Sequence, residues 1–417
     1  MDLTITPTKL HGAVTPPPSK SQAHRLLIAA ALISSGTSVI HGLADSQDIA
    51  ATRRCLAALG ARIDELGENT VQVHGLGNAV VEAGPAPVLD CGESGSTLRF
   101  LIPLALLVNG EAAFTGHGRL MERPLKPYED LFREKGIAWK WESGRLTVDG
   151  GRGYGDYALT PGEYRLPGNV SSQFFTGLLF VLPLLDGDST LVPTTPLESR
   201  DYLELTRQVQ ALAGVRSRWQ GDALFIPGGQ RYRPFEAAVE ADWSQAAFWY
   251  AANFLGGEVD ILGLDPRSAQ GDMAVSEHYW RLARPGEAEI DVSGCPDLLP
   301  PLAVMAAARN GVTRFTHAAR LRMKESDRLR TTAALLAALG GQVEEGPDFL
   351  TVRGGPLAGG TVDSANDHRI AMAAAIAATG YAGPVTVLGA ECVAKSYPNF
   401  WEDYRKLGGI THEHPGT

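Results

Sequence analysis

Basic and hydroxyl side chains gather at a few points of this chain where they could grip an anion. Lys20, His24 and Arg25 lie together in SKSQAHR, Arg123 in GRLMERPLKP, Lys324 and Arg328 in MKESDRL, His368 and Arg369 directly after Asp367, and Lys395 in CVAKSYP. Arginine forks suit bidentate contact with phosphate or carboxylate. Ser19, Ser21, Ser94, Ser96, Ser171, Ser172 and Ser244 stand in similar places, each just ahead of a strongly apolar run. If those runs are helices, the serines sit where unpaired backbone N–H groups and the positive end of the macrodipole attract anions. A plain N-cap role explains each serine equally well. Cations at helix starts oppose the macrodipole, so their recurrence points to a polyanionic ligand, although a solvated surface accounts for any one of them alone. Glu325 and Asp327, taken alone, read as helix-start acids that satisfy the macrodipole. No G-x-x-x-x-G-K-[ST] loop and no G-x-G-x-x-G after a strand occurs, so neither a P-loop NTPase nor a dinucleotide fold is supported.

The elements that must hold these residues recur. A polar start, an apolar run rich in Ala, Leu and Phe, and a closing Gly appear six times, from Ser19, Glu93, Val170, Asp242, Cys295 and Asp367. Each run is apolar nearly all round, which marks an interior helix of three or four turns. Between the runs lie amphipathic segments such as SQDIAATRRCLAALG and KESDRLRTTAALLAALG, which read as exposed helices. Four of these are followed by two short alternating stretches around a polar turn, as in ARIDELGENTVQVHG, IAWKWESGRLTVDGG, VRSRWQGDALFIPGG and QVEEGPDFLTVRGG, which predict β-hairpins. The unit is therefore strand, buried helix, strand, amphipathic helix and hairpin, repeating at roughly seventy residues. The interval from Asp242 to Cys295 is shorter, so the fourth unit should carry a trimmed hairpin.

With 417 residues, 44% apolar and 20% charged, the chain can build packed cores and is too long for one ordinary domain. Lys and Arg total 37 against 47 Asp and Glu, a net charge of -10, which argues against a general grip on nucleic acid. Cys55, Cys91, Cys295 and Cys392 are far apart and form no C-x-x-C pair, so no zinc knuckle or disulfide framework is indicated and a reducing cytoplasm is expected. No apolar stretch reaches membrane-span length, and MDLTITPTKLHG lacks a long apolar run of the signal-peptide kind, so a soluble, cytoplasmic protein without membrane contact is expected.

At these residues the sequence resembles the enolpyruvyl transferase family, and within it the branch that acts on shikimate 3-phosphate. PPPSKSQAHR is similar to that branch's P-x-S-K-S-x-x-x-R segment, LPGNVSSQFFTG to its serine-serine-glutamine segment and RMKESDRL to its K-E-[ST]-D-R segment. NDHRIAM, CVAKSYPNFW and GRLMERPLKP match three more, in the family's order and spacing. The resemblance implies an α/β fold, a two-lobed inside-out α/β barrel of six βαβαββ repeats with three per lobe, matching the six runs above. It also places residues 1–19 with 241–417 in a lobe that holds much of the phosphoenolpyruvate site and the catalytic acids. Residues 20–240 then form the lobe that holds much of the shikimate 3-phosphate site. Two lobes joined by two crossovers suggest closure on substrate.

Carried over residue by residue, the resemblance implies that Lys20, Ser21, Arg25, Ser171, Ser172, Gln173, Ser199, Tyr202, Asp297 and Lys324 bind shikimate 3-phosphate. Lys20, Gly95, Arg123, Gln173, Arg328, Arg369 and Lys395 would bind phosphoenolpyruvate, with Asp48, Glu93, Asp242 and His368 in support. Lys20, Asp297 and Glu325 would be catalytic, with no metal and no organic cofactor. The implied reaction moves an enolpyruvyl group to the 5-hydroxyl of shikimate 3-phosphate and releases phosphate, so one acid and one base must act together. Glu325 is the choice for the methylene carbon, and Asp297 with Lys20 for the hydroxyl, while the division between Glu325 and Lys20 stays open. Two departures stand out: Glu93 and Arg320 occupy places where relatives often carry Asn, which leaves local contacts and the response to the inhibitor glyphosate open. The rival readings are the branch that uses UDP-N-acetylglucosamine, whose loop cysteine GRLMERPLKP lacks, and a non-catalytic phosphate-ligand binding protein of the same fold. A monomer is expected.

Overall fold

Five of the six apolar runs have a polar residue that caps the first turn. The computed structural model describes residues 1–77, 86–151, 159–380 and 382–414. In chain order the helices are α1 (Lys20–Ala31), α2 (Gln47–Ala58), α3 (Gly95–Asn109), α4 (Lys126–Glu134), α5 (Ser172–Val181) and α6 (Arg200–Leu212). They continue as α7 (Trp243–Phe254), α8 (Val275–Leu282), α9 (Leu299–Ala308), α10 (Arg328–Ala338), α11 (His368–Ala377) and α12 (Phe400–Lys406). The odd-numbered helices are the apolar runs, and most of their side chains are buried. The side chains of Ser19, Ser94, Ser171, Asp242 and Asp367 accept hydrogen bonds from first-turn N–H groups of α1, α3, α5, α7 and α11. The even-numbered helices bury one face; in α4 that face is Pro127, Tyr128, Leu131 and Phe132. α3 and α5 approach so closely that a Cβ at Gly177 would lie 2.6 Å from the Arg99 carbonyl oxygen, which demands glycine there.

The chain divides into two units, a mid-chain unit of Pro18–Val239 and a split unit of Met1–Pro17 with Glu240–Thr417. Each has its own apolar core, built on α1, α3 and α5 in the mid-chain unit and on α7, α9 and α11 in the split unit. Fully burying one of the Leu or Phe side chains in such a core contributes roughly 1.5–3 kcal/mol.

The sheets follow one plan: a parallel pair around the buried helix, then an antiparallel hairpin. Gly162–Leu166 runs parallel to Ser189–Pro193, which pairs antiparallel with Ala223–Ile226, and that strand with Arg218–Gln220. The same order holds in the sheets that begin with Val88–Asp90 and Gly286–Asp291, and all four expected hairpins form. Two strands come from far along the chain. Glu236–Ala238 opens the first sheet against Thr37–His41, while His11–Val14 pairs parallel with Glu258–Ile261. The fourth unit has no hairpin at all, since α8 leads directly into Gly286–Asp291. In the last sheet Asp2–Thr6 lies antiparallel between Ala382–Leu388 and Ile410–His414, doing the work of the missing hairpin strand. Among the described residues no helix is long and apolar enough to cross a membrane.

Candidate active site

In the mid-chain unit the first turns of α1, α3 and α5 are tied to one another and to α2 and α6. Lys20 Nζ donates to Asp48 Oδ2 at 2.6 Å, across the starts of α1 and α2. Arg25, one turn further along α1, is 2% exposed. Its Nη1 donates to the Ser21 carbonyl at 2.6 Å, its Nε to Thr206 Oγ1 at 2.8 Å, and its Nη2 to the Tyr202 carbonyl at 3.1 Å and Thr176 Oγ1 at 3.5 Å. It also lies 5.2 Å from the centre of the Phe100 ring and 5.8 Å from that of Tyr202. Every partner is neutral. Burial therefore pulls the guanidinium down to about 10, still a cation at neutral pH but one whose charge no carboxylate among the described residues balances.

Around this cation, Ser171 caps α5 through the Gln173 N–H at 3.3 Å, and Ser172 is buried beside it. Gln173 Nε2 donates to Ser96 Oγ at 2.9 Å, and its Oε1 accepts from Arg99 Nη1 at 2.7 Å. Ser199 begins α6 in the left-handed conformation, φ +54°, a strained choice for a residue with a Cβ. Gly95 lies against the Arg123 guanidinium: a Cβ there would approach Nη1 to 2.7 Å, so a larger residue would push the guanidinium aside. Glu93 packs on Gly118 and faces His117 Nδ1 at 3.5 Å.

The split unit is arranged differently. Asp297 sits in the turn that leads into α9 and receives Arg328 Nη1 at 2.7 Å, Arg369 Nη2 at 3.0 Å and Lys324 Nζ at 3.2 Å. Arg328, at the start of α10, is also bonded to Glu325 and to Asp367, the latter at 2.9 Å from Nε. Arg369 Nη2 reaches Ser244 Oγ at 2.9 Å, and Ser244 is bonded to the α7 cap Asp242. Lys395 donates to the Asn366 carbonyl at 2.8 Å, in a turn where Ala365 and Asn366 both have positive φ, and His368 is buried at the adjoining first turn of α11. Burial pushes the Asp297 carboxyl up, but Arg369, Lys324 and Arg328 outweigh it and hold Asp297 well below the usual carboxylate range. Burial brings Lys324 down to about 8 even though Asp297 opposes the shift. Arg328 and Arg369 are raised, because their carboxylates outweigh the burial. Arg320 is buried nearby and donates to the Ser293 carbonyl.

Hydrogen bonds thus link Lys20 with Asp48, and Arg25 with Ser21, Thr176, Tyr202 and Thr206. Gln173, Ser96 and Arg99 form a third group, and Asp297, Lys324, Glu325, Arg328, Arg369 and Asp242 a fourth. One sequence expectation needs correction: His24, read with Lys20 and Arg25 as a cation, is fully buried and held neutral by desolvation, with both neighbouring charges acting the same way. Arg99, Thr176, Thr206 and Asp367 were missed. Arg99 had a signal, a charge within an otherwise apolar helix. Nothing in the sequence distinguishes Asp367 from an ordinary helix cap. Among the described residues no group of three His, Cys, Asp or Glu side chains is placed to hold a metal ion.

The sequence profile of the family described as EPSP synthase (3-phosphoshikimate 1-carboxyvinyltransferase) matches residues 5–404. The chain belongs to the EPSP synthase family. A 3-phosphoshikimate 1-carboxyvinyltransferase of Clostridium kluyveri is 44% identical over 430 residues, covering 99% of this chain and 98% of the relative. One from Clostridium perfringens is 42% identical and covers 98% and 99%. The solved EPSP synthase of Acinetobacter baumannii superposes with a TM-score of 0.80 at 25% identity, covering 99% of this chain and all of that one. The enolpyruvyl transferase NikO of Streptomyces tendae has the same fold, with a TM-score of 0.78 at 20% identity. The expected α/β class and the enolpyruvyl transferase reading therefore hold, and the EPSP synthase branch is favoured over its UDP-N-acetylglucosamine rival.

Proposed function

We propose that this chain transfers the enolpyruvyl group of phosphoenolpyruvate to the 5-hydroxyl of shikimate 3-phosphate and releases inorganic phosphate, as its EPSP synthase membership implies. Five residues from three motifs, Asp297, Lys324, Glu325, Arg328 and Arg369, converge on one network, and that observation carries the reading. In the mid-chain unit, Lys20, Ser21, Arg25, Ser171, Ser172, Gln173, Ser199 and Tyr202 hold shikimate 3-phosphate, joined by Asp297 and Lys324. The unbalanced charge of Arg25 favours a phosphate or carboxylate next to it. Phosphoenolpyruvate is held by Lys20, Gly95, Arg123, Gln173, Arg328, Arg369 and Lys395, with Asp48, Glu93, Asp242 and His368 behind them. The two substrates repel each other, and the cations offset that repulsion while orientation supplies much of the rate.

The chemistry is addition followed by elimination. Glu325 gives a proton to the methylene carbon as the 5-oxygen bonds to the middle carbon, and the hydroxyl proton passes to Asp297 or Lys20. Elimination then breaks the bond to phosphate and returns the methylene proton to Glu325, leaving the enol ether. Asp297 caged by three cations is a weak base, since its carboxylate is strongly stabilised. Substrate anions that draw Arg369 and Lys324 toward themselves loosen the cage and raise its basicity as the reaction needs it. The chain works as a cytoplasmic monomer whose partners are small molecules.

Phosphate release on mixing the protein with phosphoenolpyruvate and shikimate 3-phosphate tests the proposal. Release only with UDP-N-acetylglucosamine as acceptor overturns it, and tight binding of both substrates with no release supports a binding protein instead.

A further inference from the structure

Behind the mid-chain residues runs a buried polar line that none of the proposed substrate contacts uses. His24 Nδ1 lies 2.7 Å from Thr52 Oγ1, Thr52 Oγ1 lies 2.6 Å from Thr97 Oγ1, and Thr97 Oγ1 donates to Ser94 Oγ at 2.7 Å. These four side chains belong to α1, α2, α3 and the α3 cap, and all are almost inaccessible to solvent. The direction of every proton follows from the last bond. A hydroxyl has one hydrogen to give, so Thr97, which gives its own to Ser94, accepts from Thr52; Thr52 in turn accepts from His24. The imidazole must then carry its proton on Nδ1, leaving Nε2 as a bare acceptor with no partner, its ring edge-on to Phe100 at 6.3 Å. An unpartnered acceptor costs less in that apolar corner than an unpartnered N–H would.

We infer that His24, Thr52 and Thr97 are positioning residues: a one-directional hydrogen-bond line, started by the Nδ1–H tautomer of His24, fixes the starts of α1, α2 and α3 relative to one another. The residues so placed are Lys20, one turn before His24; Asp48, one turn before Thr52; and Gly95 with Ser96, at the start of the helix that holds Thr97. The Asp48 carbonyl, 3.5 Å from Thr97 Oγ1, is a second acceptor for the same hydrogen, and either choice leaves Thr97 accepting from Thr52. Charge on His24 is disfavoured by burial and by the flanking Lys20 and Arg25. A protonated ring would also offer a second N–H to a place with no acceptor. The consequence for activity rests on the proposed function, because it assumes that Lys20 and Gly95 meet phosphoenolpyruvate.

The test joins a spectroscopic readout to kinetics. In protein labelled with 15N-histidine, the His24 signal, assigned by its loss in His24→Asn, should show a protonated Nδ1 and a bare Nε2 that do not change between about pH 5.5 and 8.5. An Nε2–H tautomer, or titration in that window, overturns the inference. Thr52→Val, which keeps shape and removes the hydroxyl, should raise KM for phosphoenolpyruvate about tenfold while kcat stays within about twofold. His24→Asn, whose amide can still donate to Thr52, should keep KM near that of the parent, and His24→Leu should not. An unchanged KM in Thr52→Val, or identical behaviour of the Asn and Leu variants, overturns the positioning role. If the parent protein releases no phosphate with the two substrates, the proposed function fails, while the tautomer readout still decides the hydrogen-bond line.

Discussion

The two units bury arginines at helix starts in opposite ways. In the mid-chain unit Arg25 is surrounded by hydroxyls, carbonyls and aromatic faces, and no ion pair to it exists among the described residues. In the split unit Arg328 is enclosed by Asp297, Glu325 and Asp367, and Arg369 shares Asp297 with it. A buried cation without a counter-charge is a standing cost to folding that an anionic ligand can remove, so the first arrangement suits the anion-binding role proposed for it. A network whose charges already balance gains less from an added anion, but it contains carboxylates whose proton affinity shifts whenever one of their cations moves. The difference teaches that basic motifs alike in sequence can end in opposite electrostatic settings, one lacking carboxylate partners among the described residues and one already balanced by them.

The largest test of this division is the chemistry. Glu325→Ala or Lys20→Ala should lower turnover by ~10²–10⁴-fold with folding intact by circular dichroism, and near-normal turnover in either variant removes that residue from the mechanism. The arginine environments predict stability changes that differ between the units. Asp367→Asn leaves Arg328 with part of its counter-charge gone, so denaturant unfolding should show a loss of about 3–5 kcal/mol. Arg25→Met, in contrast, should leave stability unchanged or raise it, while weakening shikimate 3-phosphate binding on the order of 10²-fold by calorimetry. A large destabilisation by Arg25→Met would erase the contrast. The smallest effect is on pH dependence. Lys324 is a cation below about 8 and loses its charge above it, so kcat/KM should fall as pH rises through that value. Lys324→Arg should carry the falling limb to higher pH.

Much of this was legible in the sequence because it is local. All-apolar runs behind a Ser or Asp cap announced the buried helices, and alternation around polar turns announced four hairpins. Partner choice at long range was not legible: nothing in HGAV or in Glu236–Ala238 says that each strand opens a sheet far along the chain. Within the site, the basic residues stood out by type, but the reason for them did not. Their recurrence at helix starts argued for bound anions throughout, whereas Arg328 and Arg369 are answered by carboxylates of their own unit, brought there from three separate segments. His24 looked like one more cation, and only its burial beside two others shows that it must stay neutral. Glu93 and Arg320, visible as departures from the family pattern, acquire neighbours in the structure: His117 and Gly118 for the first, the Ser293 carbonyl for the second.

The place of Asp2–Thr6, hydrogen-bonded on both sides by strands from the last forty residues, has a consequence for biosynthesis. This strand has no β-partner until residues 382–414 have been made. The mid-chain unit can therefore condense earlier in translation, whereas the sheet that holds Asp2–Thr6 must wait, its strand exposed in the meantime to pairing with other molecules.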